Sequence, residues 1–211
     1  MNWERLFEAQ AELDKHIVEE KGLQGQDLLD KKILALQVEL GELANEWRGF
    51  KFWSEDQEPR NIAYFTRDDF GDGELFEIDK ESFEICHKEG ERNDPKYDSI
   101  QGKDWDIRYP LLEEFVDCLH FILSIGNELE VQKEIDITDI RTNISITGGI
   151  VVGFQNLYRL SSLEMFDEYD WVEMVEYFNG LGALLGFTEE QIEDAYFSKN
   201  KINHERQENA Y

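Results

Sequence analysis

Positive charge, cysteine and proline are all scarce in this chain, and each scarcity closes off a class of protein. Lysine and arginine number 21 against 48 aspartates and glutamates in 211 residues, a formal net charge of -27. Nucleic acids and anionic membranes are polyanions that attract basic surfaces, so neither is an expected partner. Two cysteines, Cys86 and Cys118, are too few for a disulfide framework, and no cysteine and histidine spacing suggests zinc. Cys118 lies in an apolar stretch and reads as core. Neither a signal-peptide pattern nor an apolar run of about 18 residues occurs, which makes a cytoplasmic protein with reduced thiols the expectation. The third scarcity is informative by position: of three prolines, two fall within residues 54–106 and the other is Pro110.

What is plentiful is apolar surface with a helical period. Apolar residues make up 41% of the chain and aromatic residues 13%, enough for one sizeable core, or a core plus a small annex. The spacing predicts helices over about 2–20, 27–48, 110–130, 147–166 and 170–185, and a last one from Thr188, whose Thr-Glu-Glu-Gln opening fits a capping box. Expected buried stripes include Ile33, Leu36, Leu40, Leu43, Ala44 and Trp47 in the second helix, and Phe115, Leu119, Ile122, Leu123 and Ile125 in the third. Gly148, Gly149 and Gly153 suggest close helix approach in the fourth. The expected fold is all-α, a bundle of about six helices.

Residues 54–106 break the pattern, with 17 acidic and 7 basic side chains and an alternating run, Leu75, Phe76, Ile78, then Phe83, Ile85, that reads as a short hairpin. The expectation is therefore a helical core from 1–53 and 107–211, with an acidic, partly β or irregular insertion at 54–106 between helices 2 and 3. That insertion reads equally as a solubilising lobe, a lid or a docking surface for a protein partner.

Two acidic pairs carry the chemistry. Glu39 with Glu42, and Glu114 with Asp117, each stand three residues apart and so share a helix face, and two such helices side by side converge their carboxylates. With 48 acidic residues such spacings recur by chance, and a solvated face is the plain reading of either pair alone. The setting shifts it: Leu36, Val38, Leu40 and Leu43 surround the first pair, and Phe115, Val116, Cys118 and Leu119 the second. Carboxylates among apolar neighbours need a charged partner. Oxygen-rich sites suit Mg2+, which is usually shared with substrate phosphates, so a phosphate compound is the expected substrate. On the last helix Lys199, Asn203 and Arg206 follow at intervals of four and three on one face, either a ligand grip or complements to the helix dipole.

The segments LFEAQAELDKHIVEEKG, LQVELGELANEWRGFKFWS, EEFVDCLHFILSIG and AYFSKNKINHERQENAY resemble the all-α dimeric dUTPases, within the wider all-α nucleoside triphosphate pyrophosphatases that include dCTPases and MazG proteins. The resemblance spans roughly the helical part. It implies that Glu39, Glu42, Glu114 and Asp117 bind Mg2+, two or more ions per site, and that Glu42 also orients the attacking water. It assigns Lys199, Asn203 and Arg206 to the triphosphate, with Lys51 a further phosphate candidate. By the same likeness Gln10 and Asp14 read the pyrimidine edge. Trp53 is either a stacking platform for the base or core beside Phe50 and Phe52. His120 either orients a metal ligand or touches the sugar, or is a satisfied buried histidine. The implied reaction is hydrolysis of dUTP, and of dUDP second, to dUMP in a homodimer. The rivals are a dCTP or broader-range pyrophosphatase, with the same metal chemistry and a different base pocket, and an acidic binding protein acting through the insertion.

Overall fold

The computed structural model describes residues 1–67, 75–78, 105–137, 140 and 146–209. Among them are six α-helices: α1 (Trp3–Lys21), α2 (Leu29–Trp47), α3 (Pro110–Glu128), α4 (Gly149–Leu160), α5 (Glu168–Leu185) and α6 (Glu189–Glu208). Three short strands lie between α2 and α3: β1 (Ala63–Arg67), β2 (Leu75–Ile78) and β3 (Trp105–Arg108). The fold is an all-α bundle carrying a small antiparallel sheet of order β2-β1-β3. No helix among the described residues is long and apolar enough to cross a membrane.

Local chemistry sets the helix ends. Asn2 caps α1, its side chain accepting from the Arg5 N–H, and Gly22 closes the helix in the left-handed region at φ 63°. Pro110 opens α3, where its missing N–H costs nothing. Thr188 and Gln191 form the expected capping box, and Asp167 with Asp170 forms a second one that starts α5 slightly earlier than the periodicity suggests. α4 is shorter than expected. Gly148, its N-cap, and Gly149, its first residue, hold φ values of 106° and 80°, so they turn the chain into the helix. Only Gly153 serves close approach, where an added Cβ would stand 3.2 Å from Ile146 and Leu181.

The first arm of the expected hairpin, Leu75 to Ile78, is a strand. Leu75–Ile78 pairs with Ala63–Arg67, in the register Tyr64↔Ile78 to Arg67↔Leu75, and β1 also pairs with β3 on its other side. Phe83 and Ile85 lie outside the described residues, as does Cys86. β1 is the middle strand of the order β2-β1-β3.

α3 is the hub, packing against α1, α2, α5 and α6. A helix surrounded on most sides has to be apolar nearly all round. Accordingly Phe115, Leu119, Ile122, Leu123 and Ile125 are all fully buried, and so is Cys118, whose thiol burial pushes well above its usual range. Gly126 lets two large rings reach the helix: a Cβ there would come within 2.8 Å of Trp171 and 2.9 Å of Phe7. Trp171 donates its indole N–H to the Ile122 carbonyl at 2.8 Å, which allows its complete burial. α6 is of opposite character, with only Ile192, Tyr196 and Asn200 buried. It is tied to α1 by His16 and His204, whose Nδ1 atoms are 2.9 Å apart, and by Tyr196, which reaches Gln10. A polar helix held against the core in this way is free to present side chains to a cavity.

Candidate active site

A cavity of about 460 Å³ opens between α1, α2, α3 and α6. Each helix contributes one stripe at helical spacing: Gln10, Leu13, Asp14 and Ile17 from α1, Lys32 and Glu39 from α2, Asp117, His120, Phe121 and Ser124 from α3, and Lys199, Asn203 and Arg206 from α6.

Glu39 and Asp117 line this cavity, and beside them α2 and α3 bring Glu39, Glu42 and Glu114 together, with a carboxylate oxygen of each within 4.8 Å of the others; Glu42 and Glu114 do not themselves line it. Burial and the negative charges of Asp117 and Glu42 raise Glu39 to about 7, and burial with Asp117, Glu42 and Glu39 raises Glu114 to about 7. One oxygen of Glu114 is buried with no hydrogen-bond partner. Three hard oxygen donors that repel one another, one of them unsatisfied, match the donor set of a divalent cation.

The fourth carboxylate stands apart from the expected quartet. Asp117 accepts from the Lys199 ammonium at 2.5 Å, which already neutralises it, and the group that meets within 4.8 Å is the three glutamates. Burial raises Asp117 and Lys199 opposes that rise. Lys199 is therefore the link between the acidic cluster and α6, whose next two turns carry Asn203 and Arg206 along the same wall.

At the other end Asp14 is held among Leu13, Ile17, Val18, Leu23, Leu28 and Phe121. Its Oδ1 accepts from Gln10 Nε2 at 2.8 Å and from Ser124 Oγ at 2.9 Å, while Oδ2 is buried without a partner. Burial raises its pKa, and Gln10 and Lys32 pull the other way. Because Gln10 Nε2 donates to Asp14, its Oε1 is the acceptor for Tyr196 Oη at 2.9 Å and for His120 Nδ1 at 2.8 Å. The network thereby assigns His120 the tautomer with its proton on Nδ1. His120 is buried and pushed down to about 3 by burial and by Lys199, so it is neutral at ordinary pH. Gln10 is 3% exposed, with both ends of its amide engaged inside the protein.

Two expected residues fall elsewhere. Lys51 and Trp53 belong to the turn after α2, which Arg48 fixes by adopting φ 63° and bonding Asp56 through its guanidinium at 2.9 Å. The Lys51 ammonium lies 5.7 Å over the Phe50 ring. Trp53 is 66% exposed in an edge-to-face cluster with Phe50 and Phe52, so it is not core, and neither it nor Lys51 lines the cavity.

A family model described as dUTPase matches residues 2–72 and 96–211. The chain belongs to this dUTPase family. No curated protein and no solved structure matches it. The match takes in all six helices and leaves residues 73–95 outside, within the segment expected to be an insertion. Membership in the dUTPase family makes the chain a nucleotide pyrophosphatase, and the acidic cluster suits the metal dependence typical of that family.

For a dUTPase-family site, several lining residues escaped the sequence reading. Phe121 and Ser124 stand four and seven residues after Asp117 on the same face of α3, a spacing that could have found them. Lys32, which bonds Glu128 at 2.6 Å and acts on Asp14 through its charge, gave no local signal.

Proposed function

We propose that the protein is a dUTP diphosphatase, hydrolysing dUTP, and dUDP second, to dUMP with Mg2+ held by Glu39, Glu42 and Glu114, and by Asp117 once Lys199 leaves it for the substrate's phosphates. The observation that carries this reading is a cavity lined by Glu39 and Asp117 next to the glutamate cluster, by Lys199, Asn203 and Arg206 along its wall, and by Asp14, one of whose oxygens is an unsatisfied acceptor. Metal, phosphates and base find their places in that order.

Each residue then has a task. When bound, Mg2+ supplies charge neutralisation on the phosphate oxygens and makes a water easier to deprotonate. Glu42, the exposed member of the cluster, orients the attacking water. Lys199, Asn203 and Arg206 hold the phosphate chain in line. The anhydride bond between the α- and β-phosphates breaks, the water oxygen ends on one product, and at neutral pH one proton goes to solvent. Asp14 accepts from the base through Oδ2. Uracil offers an N–H donor at N3 where cytosine presents a lone pair, so an anionic acceptor there favours uracil. Gln10 and His120 act through Asp14 and Tyr196 rather than by touching the base.

The test is pyrophosphate release from each deoxynucleoside triphosphate, with Mg2+ and with EDTA. Activity on dUTP that EDTA abolishes is expected. Preference for dCTP would reject the uracil assignment, and silence on every substrate would reject the enzyme. Glu42→Gln is expected to cut turnover by about a hundredfold or more with the helical signal intact. Loss of the fold would make Glu42 structural.

A further inference from the structure

The two oxygens of Asp14 differ in where a proton can go. Oδ1 has both lone pairs filled, by Gln10 Nε2 at 2.8 Å and Ser124 Oγ at 2.9 Å. Oδ2 is buried and has no hydrogen-bond partner. The Gln10 donor cannot be reversed, because its amide is pinned at the far end, where the buried Oε1 accepts from Tyr196 Oη and His120 Nδ1. A proton on Oδ1 would displace two donors, and a proton on Oδ2 displaces none. Protonation therefore falls on the oxygen left for a ligand.

That oxygen has two polarities: ionised it accepts, and protonated it donates. Uracil and cytosine differ in the same sense at N3, where one carries an N–H and the other a lone pair, and two donors or two acceptors facing each other leave buried groups unpaired. Burial raises the Asp14 pKa toward working pH, with Gln10 and the Lys32 charge opposing the rise. The other ionisable groups around it are Lys31 and Lys32 on α2, Asp117 and His120 on α3, and Tyr196, Lys199 and Arg206 on α6, while among the described residues α1 adds none to the cavity lining. Glu39 lines the same cavity, but its titration near 7 acts at the acidic cluster and so on both bases alike.

We propose that Asp14 is a proton-switched base reader: ionised it selects deoxyuridine nucleotides, and protonated it selects deoxycytidine nucleotides. The chain then has a second activity, hydrolysis of dCTP to dCMP and pyrophosphate, that grows as pH falls. This rests on the pyrophosphatase reading above and adds to it a regulated choice of base. The dCTP complex holds one proton more than the dUTP complex, shared between Oδ2 and N3.

The experiment measures kcat/KM for dUTP and for dCTP between about pH 5 and 8 with saturating Mg2+, in wild type and in Asp14→Asn. In wild type the dUTP-to-dCTP ratio is expected to fall about tenfold for each pH unit until Asp14 is protonated, the slope of one proton. In Asp14→Asn, with a fixed N–H₂ donor, the ratio is expected to be flat and to favour dCTP. A flat wild-type ratio, or a slope that survives in Asp14→Asn, overturns the proposal. Calorimetry of wild type with dUMP and dCMP, in two buffers of different ionisation enthalpy at about pH 6, decides the matter even if Asp14→Asn fails to fold. About one proton more is expected to be taken up with dCMP than with dUMP, and equal uptake or no binding of dCMP overturns the switch. Should wild type hydrolyse neither triphosphate, the pyrophosphatase reading fails and the same calorimetry judges the pocket by itself: the one-proton difference keeps the base reader, and its absence overturns it.

Discussion

Asp14 is buried, with two donors on one oxygen and none on the other, and with Lys32 acting on it through its charge. A buried acceptor without a partner costs stability in the free protein and yields it back when a ligand donor arrives. Asp14→Asn removes the charge and offers an N–H₂ group in place of an acceptor. The expected outcome is a fall of about ten- to a hundredfold in kcat/KM for dUTP, the worth of a hydrogen bond to a charged group, while the melting temperature holds or rises. A lower melting temperature with unchanged kcat/KM would make the carboxylate a structural residue. The sequence pointed to Gln10 and Asp14 as a pair, and the pair exists. Their different tasks were not legible, because Tyr196 and His120, which occupy Gln10, stand 186 and 110 residues away in the chain.

Helices carried their own signatures. Apolar residues at three- and four-residue intervals, Pro110 at the head of α3 and the Thr188 capping box all act within one or two turns, so they can be read without knowing the fold. Strand pairing cannot: β1 finds β3 about forty residues on, past β2, and nothing local in Trp105–Arg108 announces a partner. The same limit hid how tightly α3 is packed. Gly126 reads as a weak point in a helix, yet Trp171 and Phe7 occupy the space its side chain would take. Gly126→Ala improves helix propensity but forces both rings to move, and overpacking of this kind costs about 1–3 kcal/mol. Denaturant unfolding is expected to show that loss, and a stabilised variant would mean that the rings shift freely.

Across the whole molecule the acidic excess shapes stability and, on the proposed function, metal binding. Glu39 and Glu114 hold their protons to about 7 in the folded chain against an ordinary 4.5. Folded pKa values above unfolded ones give stability that is complete below about 4.5 and is lost as pH climbs through about 7. His120, lowered from 6.5 to about 3, has the opposite sign: its contribution is present above 6.5 and declines as pH falls toward 3. A divalent cation must displace the glutamate protons and leaves His120 as it was. The gain in melting temperature on adding Mg2+ to EDTA-stripped protein is therefore expected to grow from pH 5 to about 7.5 and then level off. A gain independent of pH would place the cation elsewhere. That Glu39, Glu42 and Glu114 come together was legible from spacing and apolar surroundings, whereas the pairing of Asp117 with Lys199 depended on α6 arriving from the far end of the chain.

One helix, α3, fills the centre of the bundle and also carries Glu114, Asp117, His120 and Ser124. Substitutions there answer to two masters at once, so any drift in which nucleotide is accepted has to come from the less constrained walls, α1 and α6. On the proposed role of Asp14, an engineer seeking a new base preference should randomise around it and leave the central rod alone.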